Sequence, residues 1–128
     1  MLDQGIKFLL LDVDGTLLAK NKIIVCNNVR NWVIAAKKEI DLHLLSNNPS
    51  RNRIKKVAAQ LDLDFTYAAA KPSRKALRKV IQSRNYSNNN VAIIGDRIFT
   101  DVLAGNRLGI YTILVKPINI RTYPSNKL

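Results

Sequence analysis

A chain of 128 residues, 47% of them apolar, can enclose one hydrophobic core and leaves no room for a second domain. Twenty-one lysines and arginines against nine acids give a net charge of +12, which points to an anionic partner or to a solvated basic surface. The apolar runs fall well short of the ~20 residues that span a bilayer, no charged-then-apolar leader pattern opens the chain, and a single cysteine, Cys26, excludes an internal disulfide. Cys26 is read as structural, and the chain is expected in the cytosol or an equivalent compartment, with peripheral attachment to a membrane left open.

Residues 6–11 form the first predicted strand, an apolar run with no alternation, as expected where both faces of a parallel sheet are covered. It stops at Asp12-Val13-Asp14-Gly15-Thr16. A hairpin over residues 17–25 leads into a helical stretch carrying Trp32, Val33, Ala35 and Ala36. The second strand, residues 40–45, contains the only histidine, His43; among three leucines it is assigned to the core or a sheet edge rather than to catalysis. Ser46-Asn47-Asn48-Pro49-Ser50 turns the chain into a helix with Ile54, Val57, Ala58 and Leu61 on one side. A strand over residues 65–68, then Lys71-Pro72, precede a third helix built on Leu77, Val80 and Ile81. The asparagine run 88–90 marks a turn before the fourth strand, residues 91–94, which ends in Gly95-Asp96 with Asp101 five residues on. A short helix around 99–108 and a fifth strand over 110–115 follow. Strand and helix alternate throughout, which predicts an α/β fold: a Rossmann-like three-layer α/β/α sandwich on a parallel sheet. The core spans about residues 6–117 of a single domain, 1–128, with 118–128 as a C-terminal extension.

The chemistry collects at the carboxyl ends of these strands, where open α/β sheets bind ligands. Two carboxylates one residue apart repel unless a cation or a proton separates them, so Asp12 and Asp14 suggest a metal site with a nucleophile or an acid beside it. Ser46 and the backbone N–H groups after it can hold a phosphate oxygen, although serine and asparagine there equally read as a helix cap. The absence of further histidines and cysteines argues against histidine-based triads and two-histidine zinc sites.

D-x-D-G-T, then S-N-N, then K-P, then G-D-x4-D, in this order and spacing, resembles the haloacid dehalogenase superfamily of phosphohydrolases. The resemblance implies a five-stranded sheet in the order 3-2-1-4-5, which brings Asp12, Asp14 and Asp96 together. Only about thirty residues separate Asp12 from Ser46, and about twenty-five separate Ser46 from Lys71, so a cap domain has no space. The chain is similar to the capless subclass IIIA, the YqeG-type branch that includes the phosphatidylglycerophosphate phosphatases; Gly15 departs from the asparagine often found in that branch. The resemblance implies Asp12 as nucleophile and Asp14 as general acid and base. It implies Mg²⁺ held by Asp12, the backbone carbonyl of Asp14 and Asp96, with Asp101 in support. Ser46, Asn47 and Lys71 bind the phosphoryl group, and Thr16 fixes the turn through its hydroxyl. An acid at position 14 favours hydrolysis of a phosphomonoester.

Ten lysines and arginines against two aspartates between Arg51 and Arg84 make the basic character local. Arg74, Lys75, Arg78 and Lys79 are placed on the outer side of the third helix. An anionic lipid surface suits an uncapped site; nucleic acid is less favoured because few aromatics interleave the cations. A phosphatase for a small soluble or nucleic-acid-terminal phosphate, and a non-catalytic binding module of the same fold, are the competing readings.

Overall fold

The computed structural model describes residues 5–14, 16–18, 23–68, 74–95 and 110–114. Along the chain these form β1 (Phe8–Asp12), α1 (Asn27–Ala36), β2 (Asp41–Leu45), α2 (Arg51–Leu61), β3 (Asp64–Thr66), α3 (Arg74–Ser83), a short 3-10 turn (Asn88–Asn90), β4 (Val91–Gly95) and β5 (Tyr111–Leu114). All four strand pairings are parallel and the sheet runs β3-β2-β1-β4-β5. That is the expected order. The last expected helix, 99–108, the centre of the 17–25 hairpin and the C-terminal extension lie outside the described residues.

β1 occupies the middle of the sheet and all five of its residues are buried. Strand geometry sends successive side chains to opposite faces, and the two cores divide accordingly. Leu9 and Leu11 join Leu42, Leu44, Ala92 and Ile94 against the apolar sides of α1 and α2. Phe8 and Leu10 join Leu45, Val91 and Ile93 against Leu77, Val80 and Ile81 of α3. A strand covered on both sides shows no polar alternation, which is why residues 6–11 read as one uninterrupted run.

The helices differ from expectation in one respect. In α1 the inward stripe is Val29, Val33 and Ala36, spaced four and three residues apart, while Trp32 and Ala35 are exposed. Trp32 is 42% exposed because it lies about 100° around the helix from Val33. Cys26 is also exposed, at the position preceding α1, so it has no place in the core.

Arg84 and Arg53, both counted into the basic segment, are internally paired. Arg84 donates to Asp41 at 2.6 Å and to Asp64 at 2.8 Å, and its guanidinium lies 5.3 Å from the centre of the Phe8 ring. Asp41 and Asp64 are the first residues of β2 and β3, so Arg84 fastens the amino edge of the sheet, opposite the edge where Asp12 ends β1. Arg53 is the second, and it belongs to the site itself. Lys75, Arg78 and Lys79 do lie exposed on the outer side of α3.

Candidate active site

Asp12 is the last residue of β1, paired in register with Leu45 at the end of β2, and Leu11 pairs with Ile94 of β4. The strand order reverses between β1 and β4, so the carboxyl ends of these strands open the crevice of a topological switch point. Beyond Asp12 the chain turns sharply: the Val13 carbonyl accepts from the N–H groups of Leu17 at 2.9 Å, Leu18 at 3.1 Å and Thr16 at 3.3 Å. This turn brings Thr16 back over the strand end, where its hydroxyl donates to Asp12 Oδ2 at 3.3 Å. Asp12 is only 3% exposed. A carboxylate so enclosed needs polar neighbours to remain charged, and the Thr16 hydroxyl supplies one.

The second wall is the loop after β2. Ser46 is buried, and its N–H donates to the Thr66 carbonyl at 2.9 Å, continuing the sheet by one residue. Its hydroxyl accepts from Asn48 N–H at 3.0 Å, Asn48 Oδ1 accepts from Ser50 N–H at 2.8 Å, and the Asn48 carbonyl accepts from Ala68 N–H at 2.9 Å. The loop is thus stitched at every second residue. Ser50 then caps α2, its hydroxyl accepting from Arg53 N–H at 3.3 Å. The cap is Ser50, while Ser46 lines the cleft.

Asp12, Asp14, Ser46, Asn47 and Asn48 line a cleft of about 240 Å³. Arg53 approaches Asp14 from the first turn of α2: Nη2 forms an ion pair with Oδ1 at 2.7 Å and Nη1 donates to Oδ2 at 3.2 Å. The sequence reading assigned Arg53 to the basic surface and missed this contact. Its signal was the spacing Ser50-x-x-Arg53: three residues after a capping serine, a side chain tilts toward the helix N-terminus and hence toward the cleft. Lys71, Asp96 and Asp101 lie outside the described residues; Gly95, immediately before Asp96, ends β4 beside β1.

A larger cleft, about 410 Å³, lies at the amino edge between Lys37, Asp41, Asp62, Asp64 and Arg84. Its charges are tied to one another by the Arg84 pairs and by Lys37, which donates to the Asp62 carbonyl at 2.7 Å and pairs with the Asp62 carboxylate at 3.6 Å. They brace the sheet edge and the end of α2 rather than converge on a reacting atom. Size points to one edge and chemistry to the other, and the carboxyl edge holds Asp12 and Asp14. His43 serves the same framework. It is buried in β2 with Nε2 2.8 Å from Thr66 Oγ1, and burial, aided by the Arg84 charge, lowers its pKa to about 4. It takes no part in the cleft.

Comparison with known proteins agrees with this geometry. A family model for HAD-hydrolase-like proteins matches residues 68–117. The chain is 32% identical over 117 residues to the Bacillus subtilis (strain 168) protein named "Probable phosphatase YqeG", covering 91% of this chain and 67% of that one. The chain belongs to the haloacid dehalogenase superfamily. It is a phosphatase of the YqeG type within it. The fold is shared with more distant members. A Bacteroides thetaiotaomicron HAD family enzyme, crystallised with magnesium and inorganic phosphate, superposes with a TM-score of 0.73 at 15% identity over 95% of this chain and 100% of that one. The cobalt-bound deoxy-D-mannose-octulosonate 8-phosphate phosphatase of Haemophilus influenzae gives 0.65 at 21% identity, over 93% of this chain and 75% of that one. The YqeG-type placement is compatible with the short connections: β1 is followed by α1 and β2, and β2 by α2 and β3.

Proposed function

We propose that the protein is a Mg²⁺-dependent phosphomonoester hydrolase that works through an aspartyl-phosphate on Asp12. The observation that carries the reading is the convergence of Asp12, Asp14 and Ser46 on one cleft at the switch point of the sheet. An Asp12 carboxylate oxygen attacks phosphorus in line, the ester P–O bond breaks, and the Asp14 carboxyl gives its proton to the departing alkoxide. The Asp14 carboxylate then removes a proton from the water that attacks the aspartyl-phosphate, releasing inorganic phosphate and restoring Asp12. Ser46 and Asn47, with Lys71 by family pattern, steady the phosphoryl oxygens.

The motif acids facing the cleft offer oxygen donors only, the set a hard divalent cation selects. Magnesium would be held by an Asp12 carboxylate oxygen, the Asp14 backbone carbonyl and Asp96, with Asp101 in support. When bound, it offsets the negative charge shared by nucleophile and phosphate. The magnesium and cobalt recorded with the two related structures support this choice.

For the substrate we propose a phosphomonoester on an anionic membrane lipid, phosphatidylglycerophosphate, hydrolysed by a single-domain enzyme at the membrane surface on the cytoplasmic side. Exposed Lys75, Arg78 and Lys79 on α3 and the net charge of +12 support it; among the described residues no helix is long and apolar enough to cross a membrane. The test is hydrolysis of an aryl phosphate and of vesicle-borne phosphatidylglycerophosphate, with and without Mg²⁺. Asp12→Asn should abolish both activities, and wild-type turnover in that variant would overturn the nucleophile assignment. Replacing Arg74, Lys75, Arg78 and Lys79 by glutamine should lower the lipid-to-aryl activity ratio. An unchanged ratio, or no lipid hydrolysis by the wild type, assigns a soluble phosphate ester instead.

A further inference from the structure

We propose that Arg53 is the positioning residue for Asp14, holding its carboxyl group where it can serve the leaving group; the proposal rests on the assignment of Asp14 as general acid and base. Asp14 lies two residues beyond Asp12, the end of β1, so the ladder that fixes Asp12 does not extend to it. Its side chain is nevertheless only 14% exposed, and the Arg53 side chain that meets it is 15% exposed. The guanidinium meets the carboxylate at two points: Nη1 hydrogen-bonds Oδ2 at 3.2 Å, and Nη2 forms an ion pair with Oδ1 at 2.7 Å without a hydrogen bond to it, so the group is held in place through Oδ2. Such an enclosed, hydrogen-bonded pair is a different object from an exposed ion pair, which contributes about 0–1 kcal/mol and little geometry.

Arg53 is itself held from behind. Its backbone N–H donates to the Ser50 hydroxyl, Ser50 N–H donates to Asn48, and Asn48 N–H donates to Ser46, the residue facing the cleft. A chain of four residues therefore ties the loop that presents Ser46 to the helix turn that meets Asp14. Arg53 acts on the proton transfer through Asp14 and is not itself the donor or the acceptor. It determines where Asp14 gives and takes the proton.

This role has a chemical signature. An alkyl phosphate expels a strongly basic alkoxide and needs the proton from Asp14, whereas 4-nitrophenolate leaves without one. In kcat/KM, which reports events through the transfer of phosphate to Asp12, Arg53→Gln should lower hydrolysis of an alkyl ester such as glycerol 3-phosphate at least about tenfold more than that of 4-nitrophenyl phosphate, within the ~10²–10⁴-fold supplied by general acid catalysis. Arg53→Lys, which keeps the charge and loses the planar guanidinium that meets Oδ2, should fall between Arg53→Gln and wild type. It carries the comparison if the glutamine variant fails to fold in a thermal unfolding scan.

In an Asp14→Asn background, Arg53→Gln should leave the alkyl-to-aryl ratio unchanged within about twofold, because no acid remains to be positioned. Equal losses on both esters in the Arg53 variants, or a further fall of the ratio in the Asp14→Asn background, would overturn the proposal. If Asp14→Asn itself fails to discriminate between the esters, the acid assignment falls and the positioning role falls with it. If Asp14→Asn discriminates and neither Arg53 variant does, only the positioning role is lost.

Discussion

Acidification should destabilise this protein through His43. Burial among the leucines of the sheet, reinforced by Arg84 and only partly opposed by Asp64 and Asp41, lowers the His43 pKa from 6.5 to about 4. The folded state therefore keeps the imidazole neutral where the unfolded chain protonates it. Because the unfolded state binds more protons in that interval, stability is fully present above about pH 6.5 and is lost as pH falls toward 4. At about 1.4 kcal/mol for each pH unit separating the two pKa values, the loss between pH 7 and pH 5 comes to about 2 kcal/mol. The measurement is urea unfolding of wild type and His43→Gln at pH 7, 6 and 5, followed by far-ultraviolet circular dichroism. Glutamine does not titrate and can still reach Thr66, so subtracting its pH slope removes the contribution of the carboxylates. Wild type should lose about 2 kcal/mol more than the variant over this range. Parallel slopes would mean that His43 charges as easily in the folded sheet as in the unfolded chain, and the burial argument would fail.

Two further outcomes test the local structure and the metal assignment. Ser50→Ala removes the cap on α2 and should cost about 1 kcal/mol of stability by thermal or urea unfolding, and because it also frees the turn carrying Arg53, it should lower the alkyl-to-aryl activity ratio. Asp96→Ala should raise the Mg²⁺ concentration needed for half-maximal phosphatase activity far more than Asp101→Ala does, since Asp96 directly follows the end of β4 beside Asp12; coincident Mg²⁺ titrations for wild type and Asp96→Ala would reject that ligand.

The fold was legible because its signals are local. An apolar run ending at Asp12, repeated at Leu45 and Gly95 and separated by stretches of helical period, describes parallel strands with crossover helices whatever the details of packing. Asp12 and Asp14 were legible as cleft residues for the same reason: ligand-facing groups on this architecture sit at strand ends, and strand ends are marked in the sequence by the change from apolar to polar residues. Trp32 shows the limit of such reasoning. It counted toward the helical period of its stretch, but a helix buries a stripe, and one position's rotation left it facing outward.

Sequence by itself determined the order of elements, the central buried strand and the identity of Asp12, Asp14 and Ser46 as cleft residues. Tertiary structure alone decided what the basic residues do. Arg53 and Arg84 belong to one run of cations in the sequence, yet the first clasps Asp14 at the carboxyl edge and the second braces Asp41 and Asp64 at the amino edge. A charge reaches several ångströms along a flexible stem, and its partner lies 20, 39 or 43 residues away in the chain. Periodicity carries no record of such a contact, because it is fixed only when the sheet sets the two edges apart and the helices return between them.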